Sequence, residues 1–157
     1  MKNHLLSIIL IFSFAMAHSQ IDFGIKGGLN FSFFKVVEAD FGANPETETG
    51  YFGGVYLDFK IDKGLHIQPE LLYKGIGDFN FLNAPIYFKY DIDNNFHLLI
   101  GPSLNYFFDF IINSFKVRAD VSIEYDIVSR FNVNMKYTLG FEELAPNVIF
   151  LGVGYKL

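Results

Sequence analysis

From residue 21 onward, polar and apolar residues take turns along the chain. The clearest case is KVRADVSIEYD at 116 to 126, where Lys116, Arg118, Asp120, Ser122, Glu124 and Asp126 alternate with Val117, Ala119, Val121, Ile123 and Tyr125. A period of two places the two sets on opposite faces of an extended strand. One face is then ionic and the other wholly apolar, so the strand must lie between two unlike environments.

The same alternation recurs in runs bounded by turn chemistry. IDFGIKGGLNFSFF (21 to 34) sets Phe23, Ile25, Leu29, Phe31 and Phe33 against Asp22, Lys26, Asn30 and Ser32. GYFGGVYLDFKI (50 to 61) sets Tyr51, Val55, Leu57, Phe59 and Ile61 against Tyr56, Asp58 and Lys60. Asp62-Lys63-Gly64 is a tight-turn signature, and LHIQPELLYKG after it opposes Ile67, Leu71 and Tyr73 to His66, Gln68, Glu70 and Lys74. FNFLNAPIYFKY (79 to 90), FHLLIGPSLNYFF (96 to 108), the strand at 116 to 126, RFNVNMKYTLG (130 to 140) and NVIFLGVGYKL (147 to 157) complete the set. No window keeps a helical period. Eight long strands in antiparallel succession, with no helix to cover either face, predict an all-β fold, an eight-stranded antiparallel up-and-down barrel.

The sorting of the apolar face indicates what surrounds it. One end of the strands carries Phe23, Phe59, Tyr90, Phe96, Tyr125, Phe131 and Tyr155, and the other carries Phe33, Tyr51, Tyr73, Tyr106, Phe115 and Tyr137. Ile25, Val55, Leu71, Ile86, Ile100, Ala119, Val121, Val133, Leu151 and Val153 lie between. Two aromatic belts around an aliphatic band suit a bilayer, because rings sit well at headgroup depth and aliphatic chains in hydrocarbon. A soluble exported barrel binding a small hydrophobic ligand would turn the apolar face inward and would need no such sorting. The expectation is a transmembrane barrel, closed because hydrocarbon cannot satisfy an open strand edge.

Its polar face then fills the lumen, which in an eight-stranded barrel is just wide enough for side chains. Lys26, Glu70, Lys89, Arg118, Asp120, Glu124 and Lys136 are expected to interlock there as an ionic network, since a buried charge must be paired. Lys60, Lys74 and Lys156 fall on the same face and are expected to join the network. Register across the turn near Val128 and Ser129 places Lys136 close to Asp120, and Asn132 or Asn134 close to Glu124. Asp120 with Lys136 or Arg118 is the pair singled out.

Composition adds three points. MKNHLLSIILIFSFAMAHS (1 to 19) has a basic start at Lys2, an apolar stretch and small residues near Ala17 and Ser19, the pattern of a cleaved signal peptide, leaving 20 to 157 as one barrel domain. Removing it leaves eleven Lys and Arg against 17 Asp and Glu, a net charge of −6 with no basic run, which argues against nucleic acid as a partner. The chain has no Cys, so a disulfide framework, a thiolate metal site, a Cys nucleophile and a lipidated Cys are excluded.

Candidate chemistry is sparse. His66 and His97 point inward at the end that carries the termini, with Asp91 opposite His97 across a turn. A metal site or general base could be built from such a pair, but lumen histidines satisfied by neighbouring carboxylates are the expectation. Gly24, Gly27 and Gly28 resemble a phosphate loop, yet no helix follows to supply the N-terminus that chemistry uses. Pro69 and Pro102 fall on the lipid face within strands, where each removes a ladder donor and marks a possible bulge, and Pro85 is lumenal. KVVEADFGANPETETG (35 to 50) reads as the longest loop, made acidic by Glu38, Asp40, Glu46 and Glu48.

GIKGGLNFS (24 to 32), LNAPIYFKY (82 to 90), IGPSLNYFF (100 to 108), MKYTLG (135 to 140) and the terminal FLGVGYKL resemble, in order and spacing, the outer-membrane β-barrel family of Bacteroidetes-type bacteria, including PorT-like proteins. The resemblance covers nearly all of the chain after the leader. Asn83, Lys136 and Leu157 stand where such proteins often carry an acid, an Arg and a Phe. It implies residence in the bacterial outer membrane, contact with its lipid, and insertion by the barrel-assembly machinery, which would read Ile149, Leu151, Val153, Tyr155 and Leu157 on the lipid face of the last strand. It also implies an envelope or secretion protein as partner. The expected function is structural or interactive, in surface export or assembly of a secretion apparatus, with no catalysis, cofactor or metal. The alternative is a barrel enzyme acting on lipid or surface substrates.

Overall fold

The computed structural model describes residues 21–38, 42–76, 79–108, 115–139 and 147–157. The predicted signal peptide, Asp40, and the connections at 109–114 and 140–146 lie outside them. Eight strands follow one another: β1 (Ile21–Glu38), β2 (Gly42–Asp62), β3 (Leu65–Ile76), β4 (Phe79–Asp91), β5 (Phe96–Phe107), β6 (Phe115–Val128), β7 (Phe131–Leu139) and β8 (Asn147–Lys156). Each pairs antiparallel with its sequence neighbours, and β8 returns to β1 from Gly24↔Lys156 to Phe33↔Asn147, closing the barrel. Closure gives every strand two partners, so neither face nor edge needs a covering helix.

Alternation decides what points inward. β7 is a full example, FNVNMKYTL, in which Asn132, Asn134, Lys136 and Thr138 are buried while every intervening residue is exposed. Among the described residues, buried polar side chains outnumber buried apolar ones by more than two to one. The exterior presents Ile25, Val55, Leu71, Ile86, Ile100, Leu151 and Val153. A water-soluble fold has the opposite distribution.

Rings cluster toward both ends of that exterior. Tyr51, Tyr73, Phe108, Tyr106 and Phe115 form a run of neighbours with centroid separations of 6.5, 6.4, 5.4 and 4.8 Å. At the opposite end Phe131 and Tyr155 lie 4.8 Å apart.

The end with the termini has tight turns. Gly64 takes φ 75° between β2 and β3, a conformation open to glycine. Register shifts at Lys60/Asp62 and Asp126/Val128 place bulges beside two of these turns. The prolines do not mark bulges: register runs unchanged from Pro69↔Ile86 to Leu72↔Asn83, and from Pro85↔Ser103 to Phe88↔Ile100. The ladder skips the pairs between and resumes in step, because a missing N–H removes a bond without adding a residue.

Of the span expected as a loop, 35–38 and 42–50 are strand. β1 and β2 stay paired to Glu38↔Gly42, whereas β3 leaves β2 at Gly50↔Ile76 and β8 leaves β1 at Phe33↔Asn147. A two-stranded ribbon therefore continues past the barrel.

Candidate functional site

Lys26 is buried in the lumen because β1 turns every second residue inward. Its ammonium lies 2.5 Å from Glu70 Oε1 of β3 and contacts Glu124 Oε1 of β6. Gln68 donates to Glu70 Oε1 at 2.9 Å, and Lys89 of β4 lies 2.9 Å from Asp58 Oδ2 and 3.5 Å from Glu124 Oε2. All six side chains are buried. Two lysines thus meet three carboxylates in a knot spanning five strands. Each charge is held by a partner on a different strand.

Toward the ribbon end the lumen changes character. Lys74 packs its ammonium 3.9 Å from the Phe150 ring centroid, and Lys136 lies 4.8 Å from the same ring. Lys136 stands 3.9 Å from Asp120 Oδ2, which also accepts from the Tyr87 hydroxyl at 3.1 Å. Lys136 is level with Ser122 and reaches Asp120 diagonally, while Asn134 is level with Glu124. Arg118 is buried with its guanidinium 5.9 Å from the Phe107 ring. The inward set here includes Phe52, Leu72, Val148 and Phe150, an apolar cluster within the polar core.

Of the sequence-predicted network, Lys26, Glu70, Lys89 and Glu124 come together, and Lys136 meets Asp120 in a second group. Lys60 and Lys156 are not in the buried lumen. Lys60 is exposed, and Lys156 pairs with Asp22 where both remain about four-tenths exposed. Both lie in the last turn-side rungs, where the barrel mouth is wet. Leu151, Val153, Tyr155 and Leu157 share the outer face, and the Leu157 N–H donates to Phe23 O at 2.9 Å.

At that mouth the two histidines form a chain with three aspartates. His66 Nδ1 is 2.6 Å from Asp58 Oδ1 and its Nε2 is 3.2 Å from Asp91 Oδ2. His97 Nδ1 is 2.7 Å from Asp91 Oδ1 and its Nε2 is 3.2 Å from Asp126 Oδ2. The contacts tie β2, β3, β4, β5 and β6 together beside a cavity of about 130 Å³ that Lys89, Arg130 and Lys156 also line. With both nitrogens of each ring engaged, neither imidazole offers a free lone pair to a substrate. Among the described residues no group of three or more His, Asp or Glu is placed to hold a metal ion.

Sequence reasoning found His66, His97 and Asp91 but missed Asp58 and Asp126 as their outer partners. The signal was present, since both fall on the inward face, but which rungs meet at the rim depends on the two bulges.

Neither a family model nor a curated protein matches the chain. Solved structures do. The attachment invasion locus protein Ail of Yersinia pestis, solved with the heparin analogue sucrose octasulfate, aligns at TM-score 0.57 and 12% identity over 88% of this chain and 99% of that one. A de novo designed transmembrane β-barrel gives 0.56 at 14% over 88% and 95%. The neisserial surface protein A, NspA, gives 0.55 at 13% over 86% and 96%. At such identities the likeness is one of fold, and a designed chain among the matches shows how little function that fold carries with it. The chain has the closed eight-stranded antiparallel architecture of small outer-membrane barrels.

Proposed function

We propose that the protein is a small integral outer-membrane barrel, exported by a cleaved signal peptide, with a lumen plugged by its own side chains and a structural or interactive role in surface export or secretion-apparatus assembly. The observation that carries this reading is the inverted burial: a charged, paired interior inside an aliphatic exterior bounded by rings. Hydrocarbon is the environment in which that exterior costs nothing. Insertion is tested by fractionation and by gel migration with and without boiling. Folded barrel should partition with detergent or liposomes and change mobility on heating, and recovery as a soluble periplasmic protein without detergent would overturn the reading. The export role is tested by deleting the protein, with altered secreted proteins expected and an unchanged profile counting against it.

No enzymatic role is proposed. The Asp91 and His97 pair, the nearest approach to a catalytic dyad, is flanked on both sides, with His66 Nε2 against Asp91 and Asp126 against His97 Nε2. Replacing both residues should leave lipid composition and surface proteolysis unchanged. The heparin analogue bound by Ail offers no parallel, because the ribbon of this chain carries Glu38, Glu46 and Glu48 against Lys35, the wrong sign for a polyanion.

A further inference from the structure

A neutral imidazole carries one N–H, so one of its nitrogens is an acceptor. His66 and His97 nevertheless direct all four ring nitrogens at carboxylate oxygens, at 2.6, 3.2, 2.7 and 3.2 Å. A neutral ring in either place would press a lone pair against a carboxylate. Two protons per ring turn all four contacts into charge-assisted hydrogen bonds.

Charge points the same way. As imidazolium the two rings put a cation against each of Asp58, Asp91 and Asp126, whereas with neutral rings Lys89 still pairs with Asp58 but Asp91 and Asp126 have no cation within ion-pair distance among the described residues. His66 also has Lys60 and Lys89 as cross-strand neighbours, and His97 has Glu124. Asp22, Arg130 and Lys156 complete the charged groups around the mouth. The same rim is stitched by backbone bonds between turns: the Asp91 N–H donates to Gly64 O at 2.9 Å, and the Asp126 N–H donates to Asn95 O at 2.8 Å.

We propose that Asp58, His66, Asp91, His97 and Asp126 form a proton-dependent clasp, closing the turn-side mouth of the barrel while both rings carry two protons and releasing it when they lose one. The clasp has two pH limits. It loosens as pH rises and the imidazolium rings deprotonate, and again as pH falls and the aspartates are neutralised.

The test uses the full chain refolded in nanodiscs, with ring ¹⁵N shifts reporting protonation and amide protection factors at Asp91 and Asp126 reporting closure, both from pH 3 to 9. Protection should rise and fall in a bell, its alkaline limb coinciding with loss of the second ring proton and falling by up to about tenfold per pH unit for each ring proton lost. His66→Gln with His97→Gln should flatten the alkaline limb and leave the rest of the barrel protected. Should that variant fail to fold, the native protein still decides the matter. Rings carrying a single proton throughout, or ring titration with protection factors unmoved, would overturn the clasp.

Discussion

Lys26 and Lys74 are both buried lysines of one lumen, and their surroundings predict opposite responses to replacement. Lys26 bridges Glu70 and Glu124, and Glu124 in turn receives Lys89 and Gln68. Removing one member of such a group leaves a desolvated charge behind, so Glu124→Gln should lower unfolding stability by about 3 kcal/mol or more. Lys74 rests its charge on the Phe150 ring and enters no ion pair among the described residues. A cation against a ring gains about 0.5–2 kcal/mol, less than several kcal/mol for desolvating it. Lys74→Met should therefore leave stability unchanged or raise it. Urea titration in lipid vesicles reads both variants, and a loss above about 1 kcal/mol in Lys74→Met would contradict the account. The sequence showed that Lys74 faces inward but not that rings surround it. Phe52, Phe150 and Leu72 look misplaced in a polar face until closure brings β2, β3 and β8 around one space.

Strands show the limit of that legibility at the level of elements. Where one side of a strand meets an apolar medium and the other a polar core, the period of two is enforced and the reading of faces holds, as along β6 and β7. The ribbon of 34–38 and 42–49 has no such signature because it stands beyond both neighbours, so neither of its faces is selected for oil. Backbone approach is equally silent in sequence. Gly53 and Gly54 are adjacent, yet a Cβ on Gly54 would meet Leu71 O at 2.0 Å, while on Gly53 the nearest atom is Lys26 O at 3.8 Å. Gly54→Ala must force β2 and β3 apart and should cost about 1–3 kcal/mol, as overpacking does. Gly53→Ala fills open exterior space and should be neutral or gain about 0.5 kcal/mol from a stiffer strand. Equal losses in the two variants, measured by the same vesicle titration, would mean that the local approach of β2 and β3 is not what separates them.

The size of the whole barrel settles whether it can conduct. Eight strands enclose a space that side chains fill, and the filling here is continuous across one level: Gln68 and Leu99 are fully inaccessible, Glu124 is 1% exposed, and Lys26 joins them from the opposite wall. The ribbon-side half is less thoroughly bonded, with Asn83 Oδ1, Ser103 Oγ, Asn105 Nδ2 and Thr138 Oγ1 lacking partners among the described residues, so it is the half that water would enter first. Water reaching it still meets the knot below, where Lys26 and Lys89 hold Glu70 and Glu124 across the lumen. An ion crossing that level would have to break at least two charge-assisted contacts on separate strands at once. In a planar bilayer the protein should therefore insert without stepwise conductance at any salt concentration. Discrete openings that scale with ionic strength would show that the knot is not a plug, and would move the reading from a filled barrel to a channel.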